Sequence, residues 1–287
     1  MTPRRVTDAL LRRWPLPDPA AMEGKEERGR VLIIGGSTRI PGAAMLAAIA
    51  AMRAGAGKLQ VATSASIAMT MAVALPEAKL SGLPKDAHGE IARLGLDVDT
   101  DVERADAVLV GPGMLETPAT RRFATCVLQR AKAVVLDAGA LPAATEGSYA
   151  ICVMTPHFGE MAALLGIDAS DVEADPLGIA RGFATEHGVT IVLKSAETVI
   201  ANPEGRAWRH ARGCTGLGTS GSGDVLAGLI CGLIAQGAAP DQAAVWGVAL
   251  HGRAGERLER SIGTTGFLAR EIAGQVPAIR DAIDRGS

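Results

Sequence analysis

Hydrophobic positions along the chain form two kinds of segment, which alternate over most of its length. Short apolar runs, as at residues 31–34 and 133–136, are typical of strands that are covered on both faces of a sheet. Longer alanine-rich or amphipathic runs, as at residues 43–54 and 176–187, predict helices. The alternation predicts an α/β fold of three α/β/α layers around a mostly parallel central sheet.

The boundaries of these segments predict most of the fold. Strands are predicted at residues 31–34, 58–63, 106–110, 133–136, 150–154 and 189–194, and helices at residues 6–14, 43–54, 64–74, 117–131, 160–165, 176–187, 224–235, 241–260 and 266–282. Residues 198–210 break the alternation and predict an antiparallel hairpin around an Asn-Pro-Glu-Gly turn. No linker or repeat divides residues 30–287, so we expect a single domain there, preceded by a lead-in over residues 1–29.

Glycine or a polar residue follows most of the predicted strands. In a parallel sheet these positions meet at one edge, which predicts a ligand crevice along the carboxyl ends of the strands. The glycine turn after residue 34, GGSTRIPG, lacks the GxGxxG spacing, and no acidic residue closes a following strand in the expected way. We therefore reject a dinucleotide-binding Rossmann interpretation.

The segment GSGD at residues 221–224 is the centre of the functional prediction. Gly221, Ser222 and Gly223 are small enough for their N–H groups to converge at the start of a helix, where a nucleotide phosphate would bind. Asp224 could accept a proton from a hydroxyl group beside that phosphate, or it could simply cap the helix. We expect the positive end of the helix to lower the pKa of Asp224, so that its use as a base would depend on position.

Four further polar residues are candidates, each with a structural alternative. His157, in TPHFGE at the end of a strand, points into the crevice or is a solvated loop residue. Lys194 binds an anion or extends its charge to water at the sheet edge. Asp137 binds a water of hydrated Mg²⁺ or caps the next segment. For His251, on a predicted helix, packing within the helical layer is the favoured interpretation.

Composition excludes several classes of protein. A hydrophobic content of 48% excludes a disordered chain, and a net charge of −2 argues against a general nucleic-acid binder. The apolar runs are too short to span a bilayer. The four cysteines are scattered, without metal-binding spacing, so we assign no metal ligands and expect free thiols in a cytoplasmic protein. Three of them belong to the core, whereas Cys214, in the glycine loop, could line a site.

Six motifs, in order, resemble those of the ADP- or ATP-dependent NAD(P)H-hydrate dehydratases, members of the ribokinase-like superfamily. They are GGS…PGAA, VGPG, LDAGAL, TPHFGE, LKSAET and GTSGSGDVLAG, and the resemblance covers roughly residues 29–277. The chain departs from the usual motifs at Leu115, Gly139, Ser195, Cys214 and Ser220. The epimerase domain that is fused to some relatives is not expected here, because few residues precede the first predicted strand.

The resemblance implies a hydro-lyase of metabolite repair, which restores NADH or NADPH from the hydrated form with ADP or ATP and Mg²⁺. It implies that Asp224 takes the proton of the ring hydroxyl. The hydrate side would comprise Ala43, Gly113, His157 and Asp224. The adenine-nucleotide side would comprise Lys194, Ser195, Ala196, Glu197, Thr198, Gly221, Ser222 and Gly223. Relatives are commonly oligomers, so we expect a homo-oligomer, with a tetramer as one form, whose partners are these small molecules rather than nucleic acid or membrane.

Two alternatives remain open at this point. A ribokinase-like small-molecule kinase would use the same GSGD segment to phosphorylate an alcohol and would release a stable phosphorylated product. A non-catalytic nucleotide-binding protein would account for the departures from the usual motifs. The motifs TPHFGE and VLAG favour the dehydratase.

Overall fold

The computed structural model describes residues 2–18, 22, 24–147, 151–211 and 213–286, and in these residues ten strands form one sheet. The strands are β1 (Arg4–Arg5), β2 (Arg30–Ile34), β3 (Lys58–Ser64), β4 (Ala78–Leu83), β5 (Ala107–Val110), β6 (Val134–Leu136), β7 (Cys152–Met154), β8 (Thr190–Leu193), β9 (Thr198–Ala201) and β10 (Ala207–His210). Their order is β1-β10-β9-β8-β7-β6-β5-β2-β3-β4. Only β9 is antiparallel to its neighbours, so the sheet is mostly parallel, as predicted.

Helices cover both faces of the sheet. They are α1 (Asp8–Arg13), α2 (Pro41–Ala54), α3 (Ala65–Ala74), α4 (Leu96–Arg104), α5 (Pro118–Leu128), α6 (Phe158–Leu165), α7 (Ala169–Ala174), α8 (Pro176–His187), α9 (Ser222–Ala235), α10 (Pro240–Ser261) and α11 (Ala269–Arg285). Alternate residues of a strand enter different cores: Val31 and Ile33 pack with the layer of α2, α9, α10 and α11, whereas Leu32 and Ile34 pack with that of α4, α5 and α8. The three-layer architecture is confirmed.

The predicted hairpin and the predicted helices all form, with ends that shift by a few residues. The hydrophobic pattern did not predict β1, β4, α4 and α7. Strand β4 contains polar residues and an interior glycine, and α4 is rich in aspartate, so neither follows the apolar pattern. The strand predicted from Ala150 begins at Cys152 in the structure, and Ala150 lies outside the described residues.

Helix α9 approaches α2 closely, and glycine makes this possible. A Cβ atom added at Gly228 would lie 2.2 Å from the carbonyl oxygen of Ala47, and one at Gly232 would lie 2.5 Å from that of Ala51. Twelve of the fourteen residues of α9 are buried. The GSGD segment therefore begins a helix that is fixed inside the core.

The N-terminal segment joins the same fold. Strand β1 pairs in parallel with β10, and the indole of Trp14 stacks on that of Trp208 with 5.6 Å between ring centroids. The Trp246 indole N–H donates to the Trp14 carbonyl at 2.8 Å. The segment predicted as a lead-in thus contributes a strand and a helix. No helix among the described residues has the length and hydropathy needed to span a membrane.

Candidate active site

The site forms around the start of α9. Gly221 has φ +89°, and a Cβ atom added there would lie 2.5 Å from a methyl group of Leu46, so both the backbone and the space require glycine. The first turn of a helix leaves its N–H groups without intrahelical partners. Here that turn contains Ser222, Gly223 and Asp224. The Ser222 N–H donates to the Thr219 carbonyl at 3.2 Å, so the N–H groups of Gly223 and Asp224 form the local site for an anion.

Charged side chains from three neighbouring strand ends meet beside this turn. Asp137 follows β6, Glu160 lies in the first turn of α6 after β7, and Lys194 follows β8. The Lys194 ammonium lies 3.1 Å from an Asp137 oxygen and 3.7 Å from a Glu160 oxygen. A Cβ atom added at Gly223 would lie 3.3 Å from the same ammonium. The Lys194 ammonium therefore lies between the carboxylates of Asp137 and Glu160 and the glycine turn.

This cluster sets the proton affinity of Asp224. Burial, together with the negative charges of Asp137 and Glu160, raises the pKa of Asp224 from 3.8 to about 7, although Lys194 acts in the opposite direction. The expectation that the helix terminus would lower this pKa is wrong, because burial and like charges outweigh the helix end. A carboxylate with a pKa of about 7 is well matched to act as a base near neutral pH.

Lys194 keeps its charge in the cluster. Burial works to lower the pKa of Lys194, but attraction to Asp137 and Glu160 outweighs it and raises the pKa above the ordinary value. Asp137 is itself buried and accepts a hydrogen bond from the Thr155 hydroxyl at 2.8 Å. The ammonium is thus held in place as a fixed positive charge.

The TPHFGE segment combines a helix cap with an exposed ring. The Glu160 N–H donates to Nδ1 of His157 at 3.1 Å, and the His157 N–H donates to a Glu160 carboxylate oxygen at 2.8 Å. Because Nδ1 accepts, Nε2 carries the proton of the neutral ring. The His157 side chain is 58% exposed and lines the cavity described next.

A cavity of about 830 Å³ opens beside α9. Seven of the predicted site residues line it: His157, Lys194, Ser195, Ala196, Thr198, Ser222 and Gly223. Five others do not: Ala43, Gly113, Glu197, Gly221 and Asp224. Ala43 and Gly113 instead contact each other, since a Cβ atom added at Gly113 would lie 2.9 Å from that of Ala43. The Glu197 carboxylate lies 3.5 Å from the Arg209 guanidinium.

His210 and Thr219 also line this cavity, and no sequence pattern singled them out. His251, for which packing within the helical layer was the favoured interpretation, lines it as well. Nε2 of His251 lies 3.1 Å from the Ser222 carbonyl and 3.0 Å from its hydroxyl. Burial lowers the pKa of His251 to about 4, so the ring is neutral and donates from Nε2 to the carbonyl. His251 lies 29 residues from Ser222, and no local pattern connects the two. Cys214 lines the cavity, as its place in the glycine loop suggested.

Comparison with known proteins places this chain in a family. The sequence model of the NAD(P)H-hydrate dehydratase family matches residues 31–278, most of the chain. The chain belongs to this family. An ADP-dependent (S)-NAD(P)H-hydrate dehydratase of Xanthomonas campestris is 50% identical over 285 residues, which cover 99% of this chain and 98% of the relative.

Solved structures agree with the family assignment. An ADP/ATP-dependent NAD(P)H-hydrate dehydratase from Bacillus subtilis, co-crystallised with ATP/Mg²⁺, superposes with a TM-score of 0.85 at 29% identity and covers 99% of both chains. A ribokinase-like superfamily protein from Enterococcus faecalis superposes with a TM-score of 0.83 at 26% identity over 98% of this chain and 96% of that one. The fold is therefore ribokinase-like.

Proposed function

We propose that this member of the NAD(P)H-hydrate dehydratase family restores NADH and NADPH from their hydrates, with Asp224 as the base and ADP or ATP as phosphoryl donor. The observation that carries the proposal is the carboxylate of Asp224. It has a pKa of about 7 and lies in the glycine-lined first turn of α9. A base and an anion site at one point suit a reaction in which a hydroxyl group loses its proton beside a phosphate.

The nucleotide would occupy the cavity that Lys194 and Ser222 line. Its terminal phosphate would lie at the first turn of α9, where main-chain N–H groups and the Lys194 ammonium supply positive charge. The loop at residues 194–198 would hold the rest of the nucleotide. His251 would keep the first turn of α9 in position through its hydrogen bond to the Ser222 carbonyl.

The chemistry then takes two steps. The hydroxyl oxygen of the hydrated ring attacks the terminal phosphorus while Asp224 accepts the hydroxyl proton, and the bond from that phosphorus to the nucleotide's bridging oxygen breaks. The phosphorylated ring then eliminates: the C–O bond breaks, the neighbouring ring carbon loses a proton to the departing phosphate, and the double bond forms as inorganic phosphate leaves. ADP would yield AMP and phosphate, and ATP would yield ADP and phosphate.

Magnesium fits the site as an ion bound to the nucleotide. Among the described residues no group of three or more His, Cys, Asp or Glu side chains could hold a metal ion by itself, so phosphate oxygens would have to complete the coordination. Asp137 and Glu160 are the carboxylates at this point that could contact the ion or its waters. When bound, the ion would neutralise phosphate charge.

The hydrate would lie on the side of Asp224 away from the nucleotide. Gly113 and Ala43 would contact it through main chain and methyl group, and the exposed ring of His157 would meet it from the edge of the cavity. Family membership favours this dehydration over the phosphorylation of an unrelated alcohol.

The decisive experiment mixes purified protein, Mg²⁺ and NADH-hydrate with ADP or ATP in parallel and follows absorbance at the reduced-nicotinamide band. We expect recovery of the band together with stoichiometric inorganic phosphate. A stable phosphorylated product, detected by mass spectrometry, would instead identify a kinase. Absence of recovery with both nucleotides would refute the proposal.

We also propose a homo-oligomer. The support is α3, in which Met69 is 78% exposed and Val73 is 81% exposed, since such apolar exposure is typical of an interface. Multi-angle light scattering on the purified protein measures the state, and a monomer would contradict the proposal. A cytoplasmic location remains a prediction.

A further inference from the structure

A buried carboxylate lies outside the cluster around Lys194. Glu90 is completely buried, and its Oε1 has no hydrogen-bond partner among the described residues. A buried acceptor without a partner costs stability, and such a group in a folded protein calls for an explanation.

The other oxygen of Glu90 holds a distant main-chain group. Oε2 accepts a hydrogen bond from the N–H of Leu115 at 3.0 Å, across 25 residues of sequence. Glu90 is itself fixed, because its N–H donates to the Asp86 carboxylate at 3.0 Å and its carbonyl accepts from the Asp86 N–H at 2.9 Å. The carboxylate is therefore presented to Leu115 from a rigid turn.

The main chain at Leu115 is also held from its opposite side. Its carbonyl accepts a hydrogen bond from the Thr120 hydroxyl at 2.9 Å. A Cβ atom added at Gly139 would lie 2.4 Å from the Leu115 carbonyl carbon and 2.6 Å from the Glu116 nitrogen. Two departures from the usual motifs, Leu115 and Gly139, are thus in direct contact. With the main chain of Leu115 in this place, residue 139 has no room for a side chain.

The segment that Glu90 holds leads directly to the proposed hydrate side. Gly113 lies two residues before Leu115 and has φ +67°. A Cβ atom added at Gly113 would lie 2.5 Å from the Ile40 carbonyl oxygen, so its main chain lies tightly against the start of α2, near Ala43. The Gly113 carbonyl also accepts a hydrogen bond from the Ser37 N–H at 3.2 Å. The loop around Gly113 is thus anchored at Ser37 on one side and, through Leu115, at Glu90 on the other, and loss of the Glu90 anchor would leave it held from one side only.

We propose that Glu90 is a positioning residue for the hydrated nicotinamide: by holding the Leu115 N–H it keeps Gly113 in the place where the hydrate binds. The inference rests on the proposed function. A hydrogen bond from a main-chain N–H to a carboxylate is charge-assisted and stronger than one to a neutral acceptor. The need to hold this loop accounts for a buried acid that burial alone would disfavour.

The test compares Glu90→Ala with Glu90→Gln. Glu90→Ala removes the acceptor, so KM for the hydrate should rise roughly tenfold while KM for ADP stays within twofold of wild type. Glu90→Gln retains an amide oxygen that can accept from Leu115, and should return KM for the hydrate to within about threefold of wild type. A purely structural role would lower thermal stability without separating the two KM values.

Asp101→Ala is the matched control. Asp101 is also a buried carboxylate, but it accepts from Lys79 at 2.7 Å and Gln60 at 2.9 Å, on β4 and β3. Its loss should reduce stability and leave both KM values unchanged. Hydrogen–deuterium exchange of substrate-free protein adds a direct measurement, since the Leu115 amide should exchange at least tenfold faster in Glu90→Ala and remain protected in Glu90→Gln.

The outcomes separate the two proposals. Hydrate turnover by the wild type with an unchanged hydrate KM in Glu90→Ala would overturn the role of Glu90 alone. A rise in KM in Glu90→Gln as large as that in Glu90→Ala would overturn it as well, since positioning needs only the acceptor. Failure of the wild type to consume hydrate, with either nucleotide, would overturn the proposed function and the substrate assigned here.

Discussion

Replacing Asp224 with asparagine should sharply reduce activity and yet make the protein more stable above neutral pH. The carboxylate is largely buried near Asp137 and Glu160, and its charged form is disfavoured there. Asparagine has nearly the same shape and no charge. The substitution therefore removes the base and, with it, a destabilising negative charge, which is the usual trade between function and stability at an active site.

The size of the change in the free energy of unfolding follows from the pKa of Asp224. In the unfolded chain Asp224 ionises near 3.8, whereas in the folded protein it ionises at about 7. Between these values the folded state binds more protons, so stability falls as pH rises and then levels off above about 7. The full difference corresponds to roughly 4 kcal/mol. That figure already includes the attraction of Lys194. Because burying the asparagine amide offsets part of the gain, we expect ~2 kcal/mol at pH 8.

Urea unfolding of wild type and Asp224→Asn, followed by tryptophan fluorescence at pH 5, 6, 7 and 8, measures this directly. The advantage of the variant should grow up to about pH 7 and then remain constant, while kcat falls by about 10²–10⁴. Glu173→Gln, at an exposed position on α7, should show no such pH-dependent gain. A variant that is no more stable than wild type at pH 8, or an advantage independent of pH, would refute the argument that Asp224 is a buried base with a raised pKa.

Three further predictions concern the same site and its support. Asp137→Asn removes a charge that raises the pKa of Asp224, so the acidic limb of kcat/KM, centred near pH 7 in wild type, should move to lower pH; an unmoved midpoint would contradict the assigned coupling. His251→Ala should raise KM for ADP roughly three- to tenfold with the hydrate KM unchanged, because the first turn of α9 loses its hydrogen bond; equal effects on both values would count against that role. Gly228→Ala should cost about 2 kcal/mol in urea unfolding, because the added Cβ atom meets the Ala47 carbonyl at 2.2 Å. Gly274→Ala, with no atom within 4 Å of the added Cβ, should stabilise the protein slightly, and equal losses would contradict the packing argument.

Local patterns predicted much of this protein. Apolar runs bounded by glycine or polar residues predicted the strands from β2 to β8 except β4, because a strand covered on both faces must be apolar. The Asn-Pro-Glu-Gly turn predicted the hairpin of β9 and β10, and the GSGD segment predicted the start of α9. Strand β4 was not predicted because it lies at the sheet edge, where polar side chains are tolerated.

The candidate site was predictable only in part. TPHFGE and LKSAET each contain a residue whose place at a strand end follows from local sequence, and the structure brings His157 and Lys194 to one cavity. His251 and Glu90 had no comparable signal. Each acts on a residue 25 or more positions away, and single-sequence periodicity does not report such distances.

The amino-acid sequence alone determined where most of the strands and helices lie, that the carboxyl ends of the parallel strands share one edge, and that a small-residue turn and a carboxylate occupy the start of α9. These properties depend on neighbours within a few positions. Only the tertiary structure decided that the pKa of Asp224 is raised, that His251 is neutral, and that Glu90 accepts a hydrogen bond from the Leu115 N–H. Burial and electrostatic energy sum over every group nearby in space, and those groups come from strand ends and loops that are far apart in the chain.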